Sequence, residues 1–281
     1  MLIFTKIAEL QGYLAQIRAQ NKTVGFVPTM GALHDGHVSL IRYSKKACDY
    51  TVCSVFVNPT QFNDKADLDR YPRMPEKDAG LLESAYCDAL FMPLVDEMYP
   101  LKGEKPDFTF GYLDKVLEGA HRPGHFNGVG QVVKRLFEIV KPEKAFFGSK
   151  DYQQVMVVKA LVKQMHSDIE IVACPILRES DGLAMSSRNA LLKSEERKTA
   201  ASVPAILQEA KQIANEKGLK QSKAFVTDAF SKIPNTKLDY YEICNADTLE
   251  ILSELYAQTK SVAVIAVFVG KIRLIDNLLL N

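Results

Sequence analysis

The sequence lacks an excess of either charge: 35 Lys and Arg stand against 34 Asp and Glu in 281 residues. That balance excludes the broad basic field that holds nucleic acid or an anionic membrane, so any anion site has to be local. C-x-x-C spacing is absent too. Cys48, Cys53, Cys87, Cys174 and Cys244 are scattered, odd in number and set mostly in apolar runs, which fits buried free thiols in a reducing cytosol. No apolar run approaches membrane length. The longest, "VAVIAVFV" at 262–269, is rich in β-branched residues and reads as a core strand. The start, "MLIFTKIAELQGYLAQIRAQ", has few apolar residues before Glu9 and then takes helical spacing, so it is expected to belong to the fold and not to a signal peptide or anchor. Internal repeats and low-complexity linkers are missing. So are a Walker A motif and the Gly-rich dinucleotide spacing.

What is present is a 47% apolar fraction, enough to fill one core of good size and a second, smaller one. Up to about residue 177, strand-like runs at 23–28, 50–57, 88–93, 144–148 and 169–174 alternate with stretches of helical period at 36–48, 129–140 and 155–165. Continuous β runs separated by such stretches predict a parallel sheet covered by helices on both faces, a doubly wound α/β domain over residues 1–177. Beyond it the order changes. A charged helix carries Val203, Leu207, Ala210 and Ala214, and Pro204 should kink or interrupt it. A helix around Phe225, Ala229 and Ile233 comes next, then strands at 238–243, 261–269 and 271–276, the last two joined by a tight hairpin at Gly270 and Lys271. A smaller α+β domain over 178–281 is expected. The segments 58–75 and 100–128, rich in Pro, Gly and charge, read as site-forming loops.

Chemistry concentrates where strands end. In "VPTMGALHDGH" a buried strand breaks at Pro28, turns at Gly31 and enters a helix with His34 and His37 three positions apart. Gly36 removes a side chain where a phosphate could approach, and the ring N–H groups can donate to phosphoryl oxygens as pyrophosphate leaves. A metal pair fits less well, because no H-E-x-x-H pattern is present. A capped helix start with incidental histidines is the plainer alternative. In "FFGSKDYQQ" a second strand ends at Gly148, with Lys150 as a point charge for phosphate and Asp151 as a helix cap, or else the two form a solvated loop pair. In "DGLAMSSRN" the run Ser186, Ser187, Arg188 suits outer phosphates on a closing loop, although a turn with an N-cap would also place serines there. Arg122 and His125 precede another helix, and Asn58 and Gln61 come after a strand; neutral amides beside a basic site can bind hydroxyls and orient a small acid.

Taken together and in this order, "PTMGALHDGH", "FVNPTQF", "HRPGHFNGV", "FFGSKDYQQ" and "DGLAMSSRN" resemble the pantothenate synthetase family, part of the wider H-x-G-H nucleotidylyl transferase superfamily. The resemblance covers nearly the whole chain. It implies a Rossmann-like first domain binding ATP and pantoate, a smaller second domain covering the site, and ATP-dependent condensation of (R)-pantoate with β-alanine through a pantoyl adenylate. AMP and pyrophosphate would be released, with Mg²⁺ as cofactor held mainly by the phosphates and no protein ligand identified. It further implies a cytoplasmic homodimer with small-molecule partners only, no nucleic acid and no membrane.

Residue by residue, the resemblance places Met30, Gly31, His34, Gly36 and His37 on ATP, with His37 as proton donor and His34 and Lys150 as further catalytic groups. Gly148, Ser149, Lys150 and Asp151 would hold ribose and phosphates. Leu177, Met185, Ser186, Ser187 and Arg188 would complete the ATP site. Gln61 and Gln154 would orient pantoate, Gln61 also lying near β-alanine, with Asn58, Arg122 and His125 close by. Ser149 stands where the family usually has Glu. Two alternatives use the same motif: a nucleotidyltransferase acting on another small acid or phosphate, and a nucleotide-sensing module without turnover.

Overall fold

The computed structural model describes residues 1–62, 65–99 and 106–281, without the side chains of residues 65 and 67. Parts of both segments read as site-forming loops, 63–64 and 100–105, therefore lie outside the described residues. The chain divides into two compact units. One comprises Met1–Ser149 and Gln153–Pro175; the other comprises Lys150–Tyr152 and Ile176–Asn281.

In the first unit the chain runs through β1 (Leu2–Phe4), α1 (Ile7–Arg18), β2 (Val24–Thr29), α2 (Asp35–Ala47), β3 (Tyr50–Val55), α3 (Lys65–Arg70) and α4 (Pro75–Ser84). It continues through β4 (Ala89–Phe91), α5 (Val95–Met98), α6 (Leu117–His121), α7 (His125–Val140), β5 (Lys144–Gly148), α8 (Tyr152–Gln164) and β6 (Glu170–Cys174). The six strands form one sheet in the order β1-β4-β3-β2-β5-β6, and every pairing is parallel. β2 carries the burial pattern of a central strand. Phe26 meets Phe137 of α7 edge-on at 6.3 Å on one face. Val27 joins Val38 and Ile41 of α2 and Leu82 of α4 in the core of the other face. The sheet is thus doubly wound, as the alternation of strand and helix periods predicts. β1 is an addition to that expectation: three residues are too few to show a strand period, and only pairing with β4 reveals it.

In the second unit, α9 (Ser194–Ala200), α10 (Ser202–Lys217) and α11 (Leu219–Lys232) precede an antiparallel sheet of β7 (Thr236–Asn245), β8 (Ser261–Val269) and β9 (Ile272–Leu279), with β8 central. The expected interruption of the charged helix occurs at Ala201. Pro204 lies in the first turn of α10, where its missing N–H is harmless and its ring would collide only with a continued helix at Ala200. β8 is buried at every position but Phe268, and Leu207, Ala210, Val226 and Phe230 pack with Ile265 and Val267 in the core. Gly270, at a φ of 58°, makes the tight turn into β9.

All five cysteines are free and buried. Burial pushes the thiols of Cys87 and Cys244 up to about 12, so neither offers a thiolate. No helix among the described residues is long and apolar enough to cross a membrane.

One close approach sets the position of α7. A Cβ on Gly128 would lie 2.4 Å from the Thr60 carbonyl oxygen and 2.7 Å from the Gln61 Cα, both main-chain atoms that cannot swing aside. Gly128→Ala is therefore expected to lower stability by about 1 to 3 kcal/mol, the usual range for overpacking. A urea midpoint equal to that of the unaltered protein would show that the segment carrying Gln61 yields easily.

Candidate active site

Strand order reverses between β2 and β5, with β3, β4 and β1 on one side of the reversal and β6 on the other. Ligands of open parallel sheets bind outside the carboxyl ends of strands at such a point, because the loops there part to opposite faces. Strand β2 leads into the Gly31 turn and α2, while β5 ends at Gly148 and leads into Ser149.

The turn after β2 is held from outside itself. Gly31 and Ala32 both have positive φ, 83° and 51°, a region costly for Ala. Asp78, in the first turn of α4 and 1% exposed, offsets that cost. Its Oδ2 accepts the Ala32 N–H at 2.9 Å and its Oδ1 the Leu33 N–H at 2.7 Å. A Cβ at Gly31 would come to 3.0 Å from the same carboxylate. Asp78 was not among the site residues expected from sequence. Its only local signal is an acid after Pro75, common to any helix start.

The turn delivers His34 as the N-cap of α2. His34 Nδ1 accepts the Gly36 N–H at 3.1 Å, and His37 Nδ1 accepts the His34 N–H at 3.3 Å. The rings lie 4.1 Å apart between centroids and tilted by 47°. Both Nδ1 atoms act as acceptors, so in the neutral rings the proton sits on Nε2. The outcome is a pair of Nε2–H donors beside a helix N-terminus, an arrangement suited to anionic oxygens. The capped helix start and the pair of imidazole donors are thus one structure, because each histidine accepts a main-chain N–H through its Nδ1.

A second cluster forms around Asn58, which is 1% exposed. Its Nδ2 donates to Gln61 Oε1 and to the Gly128 carbonyl, each at 3.2 Å. Its Oδ1 accepts from the Thr60 N–H and hydroxyl and from the Tyr99 hydroxyl at 2.9 Å. Burial raises the Tyr99 hydroxyl above its ordinary value, so it stays protonated and donates. Asn58 is consequently an internal brace that aims Gln61. Gln61 Nε2 reaches the Met30 sulfur at 2.8 Å, tying this cluster to the turn after β2. His125 is buried and its Nδ1 lies 2.8 Å from the Gln61 carbonyl, which can only accept. Nδ1 therefore carries the proton, and Nε2 accepts from Arg122 Nη1 at 3.1 Å. Arg122 also approaches Glu118 at 3.8 Å.

Next to half-buried Gln154, Gln153 turns inward. It donates to the carbonyls of Leu113 and Val116 and accepts the Glu118 N–H, fixing the run that leads to Arg122. Met30, Asn58, Gln61, Arg122 and His125 are thereby joined by hydrogen bonds, whereas Gln154 is not part of that network. A Cβ at Gly148 would meet nothing within 4 Å, so the strand end there is open.

In the second unit, Lys150 lies 3.6 Å from Asp151. A hairpin turning at Gly182, φ 88°, brings Met185 back to Leu177 through an N–H···O bond of 3.0 Å. Ser186 then caps a short 3₁₀ turn, Ser187–Leu191, by accepting the Arg188 N–H at 3.3 Å.

A doubly wound parallel sheet whose central strand passes through a glycine turn into an imidazole-capped helix defines an α/β protein of the H-x-G-H type. Residues 2–279 match the pantoate-beta-alanine ligase family, and the chain belongs to that family. It is 47% identical over 281 residues to a pantothenate synthetase of Porphyromonas gingivalis, with 99% of each chain covered. Its structure is similar to pantothenate synthetase from Thermus thermophilus, at a TM-score of 0.92 and 40% identity over 100% of this chain and 99% of that one. It is also similar to pantoate-beta-alanine ligase from Francisella tularensis complexed with beta-gamma ATP and beta-alanine, at a TM-score of 0.84 and 35% identity over 100% and 98%.

Removing the brace tests whether the turn depends on it. Asp78→Ala removes the carboxylate that accepts two buried N–H groups, at about 1 to 3 kcal/mol each. The midpoint of chemical denaturation should fall accordingly; a change under about 0.5 kcal/mol, the usual range for surface substitutions, would mean that the turn holds itself.

Proposed function

We propose that this chain condenses (R)-pantoate with β-alanine at the expense of ATP, through a pantoyl adenylate. Membership of the pantoate-beta-alanine ligase family over residues 2–279 carries this reading, and it favours the condensation over a nucleotidyltransferase acting on another acid. In the first step a pantoate carboxylate oxygen attacks the α-phosphorus, the α–β bridging bond breaks and pyrophosphate leaves. In the second the β-alanine amine attacks the acyl carbonyl, the bond to AMP breaks and the nitrogen loses a proton. Neither step needs a protein nucleophile. The enzyme supplies position, charge stabilisation and exclusion of water.

His34 and His37 direct their Nε2–H groups at phosphoryl oxygens, where negative charge grows as pyrophosphate departs. Met30, Gly31 and Gly36 line the same turn, and Gly148 leaves room for ribose and phosphate at the end of β5. Lys150, Ser186, Ser187 and Arg188 carry the phosphate chain, with Asp151, Leu177 and Met185 completing the nucleotide contacts. Gln61 spends its Oε1 on Asn58 and one N–H on the Met30 sulfur, a weak acceptor, which leaves a second N–H for pantoate. Gln154 is its partner in that task, with Gln61 also near β-alanine and Arg122 and His125 close by.

Magnesium would come with the nucleotide, held mainly by the phosphates, and would neutralise charge on their oxygens. Among the described residues no group of three or more His, Cys, Asp or Glu side chains is gathered as a metal site. The reading includes a cytoplasmic homodimer.

The direct experiment supplies ATP, pantoate and β-alanine, omitting each in turn. Pantoate alone should support exchange of labelled pyrophosphate into ATP, and the complete mixture should yield AMP and pantothenate. Exchange that strictly requires β-alanine would remove the two-step scheme, and ADP as product would indicate an acyl phosphate.

Side-chain replacement assigns the roles. His34→Ala and His37→Ala should each slow adenylate formation by about 10² to 10³, the typical loss for one preorganised donor. Gln61→Ala and Gln154→Ala should raise the pantoate constant while ATP affinity by calorimetry stays near normal. Unchanged pantoate use in both glutamine variants would refute the assignment of the acid pocket.

A further inference from the structure

Within the second unit, Lys150 and the turn bearing Ser186, Ser187 and Arg188 are far apart in sequence, yet both are tied to β9. Asn277 Nδ2 donates to the main-chain carbonyl of Lys150 at 2.9 Å. Its neighbour Asp276 takes both arms of Arg178, Nη1 to Oδ2 at 2.7 Å and Nη2 to Oδ1 at 3.0 Å. Arg178 also donates to the Gly182 carbonyl at 3.0 Å and to the Asn277 carbonyl at 3.2 Å, so one guanidinium clamps the 178–184 hairpin to β9. Asp276 Oδ1 closes the set by accepting the Asn277 N–H at 2.7 Å. Asp276 is 3% exposed and Asn277 6%.

Burying a carboxylate and an amide against a partly exposed guanidinium in this way is a poor route to stability, because well-packed apolar residues of similar volume often do as well or better. What the arrangement does achieve is geometric. A bidentate guanidinium–carboxylate pair admits one relative orientation of its two backbones. The amide at Asn277 adds a fixed distance to Lys150.

We propose that Asp276 and Asn277 are positioning residues of the reaction: from adjacent places on β9 they set Lys150 and the Ser186, Ser187, Arg188 turn in one frame, so that both meet the phosphate chain of the same nucleotide. The proposal rests on the reading of those residues as phosphate-binding. Neither β9 residue touches substrate. Asn277 acts through the backbone of Lys150, and Asp276 acts through Arg178 on the hairpin.

The test measures the Michaelis constants of ATP, pantoate and β-alanine separately, together with the melting temperature, in Asn277→Ala, Lys150→Ala and the double variant. Asn277→Asp, which keeps the size but cannot donate, replaces the alanine variant if that one fails to fold. Asn277→Ala should raise the ATP constant by about tenfold, the scale of one lost hydrogen bond, while the other two constants stay within about twofold. Because it acts through Lys150, the double variant should be little worse than Lys150→Ala alone. If ATP use is unaffected in Asn277→Ala but impaired in Lys150→Ala, the positioning role is overturned. A uniform rise in all three constants with a lower melting temperature, and fully multiplicative losses in the double variant, would overturn it too, since a general structural defect behaves that way. If Lys150→Ala itself leaves ATP use intact, the phosphate assignment fails first, and the proposal falls with it.

Discussion

The parallel pairing of β2 with β3 on one side and β5 on the other is the constraint on which the first unit depends. Parallel strands point their carboxyl ends the same way, so the segments leaving β2 and β5 emerge side by side, and the reversal of strand order sends their helices to opposite faces. The turn after β2 then has nowhere to go but into the N-terminus of α2. That end carries unsatisfied N–H groups and a partial positive charge before any side chain is considered. The histidines sit on a backbone end already inclined toward anions.

Hydrogen bonding then divides three imidazoles between two tasks. His34 and His37 give Nδ1 to the main chain as acceptors, which fixes the proton on Nε2 and turns both rings into donors. His125 does the reverse, committing Nδ1–H to the Gln61 carbonyl and its Nε2 to Arg122. The same side chain carries its proton on Nε2 in one place and on Nδ1 in the other. The difference comes entirely from which backbone group each Nδ1 meets.

The buried acids and amides share a purpose. Asp78 and Gln153 spend their polar atoms on main-chain groups of a neighbouring segment, and Asn58 divides its own between the main chain of Thr60 and Gly128 and the side chains of Thr60, Gln61 and Tyr99. Such groups contribute modestly to net stability, because each bond replaces one to water, but leaving any of them half-satisfied is expensive. Their effect is to permit one arrangement of the loops that carry His34, Gln61 and Arg122.

Much of this was already legible in the amino-acid sequence. Strand and helix periods, with Gly270 at a hairpin and Pro204 near a helix break, depend on neighbours a few residues away, and they lead to the doubly wound sheet with a separate antiparallel one. His34, His37 and Lys150 stood out because they sit beside glycines where strands end, Gln61 because it is an amide just after a strand, and Arg188 because it follows two serines on a loop. The short edge strand β1 did not, since three residues hold no period, nor did the braces. Asp78 meets Ala32 across 46 residues, Tyr99 meets Asn58 across 41 and Asn277 meets Lys150 across 127. An acid in a helix's first turn or an amide in a strand looks the same in sequence whether it faces water or a distant carbonyl. Local order was determined by the sequence because it rests on short-range backbone preference. Which polar groups became braces was decided only by tertiary structure, because hydrogen bonds between remote segments exist only once the sheets have brought them within about 3 Å of one another.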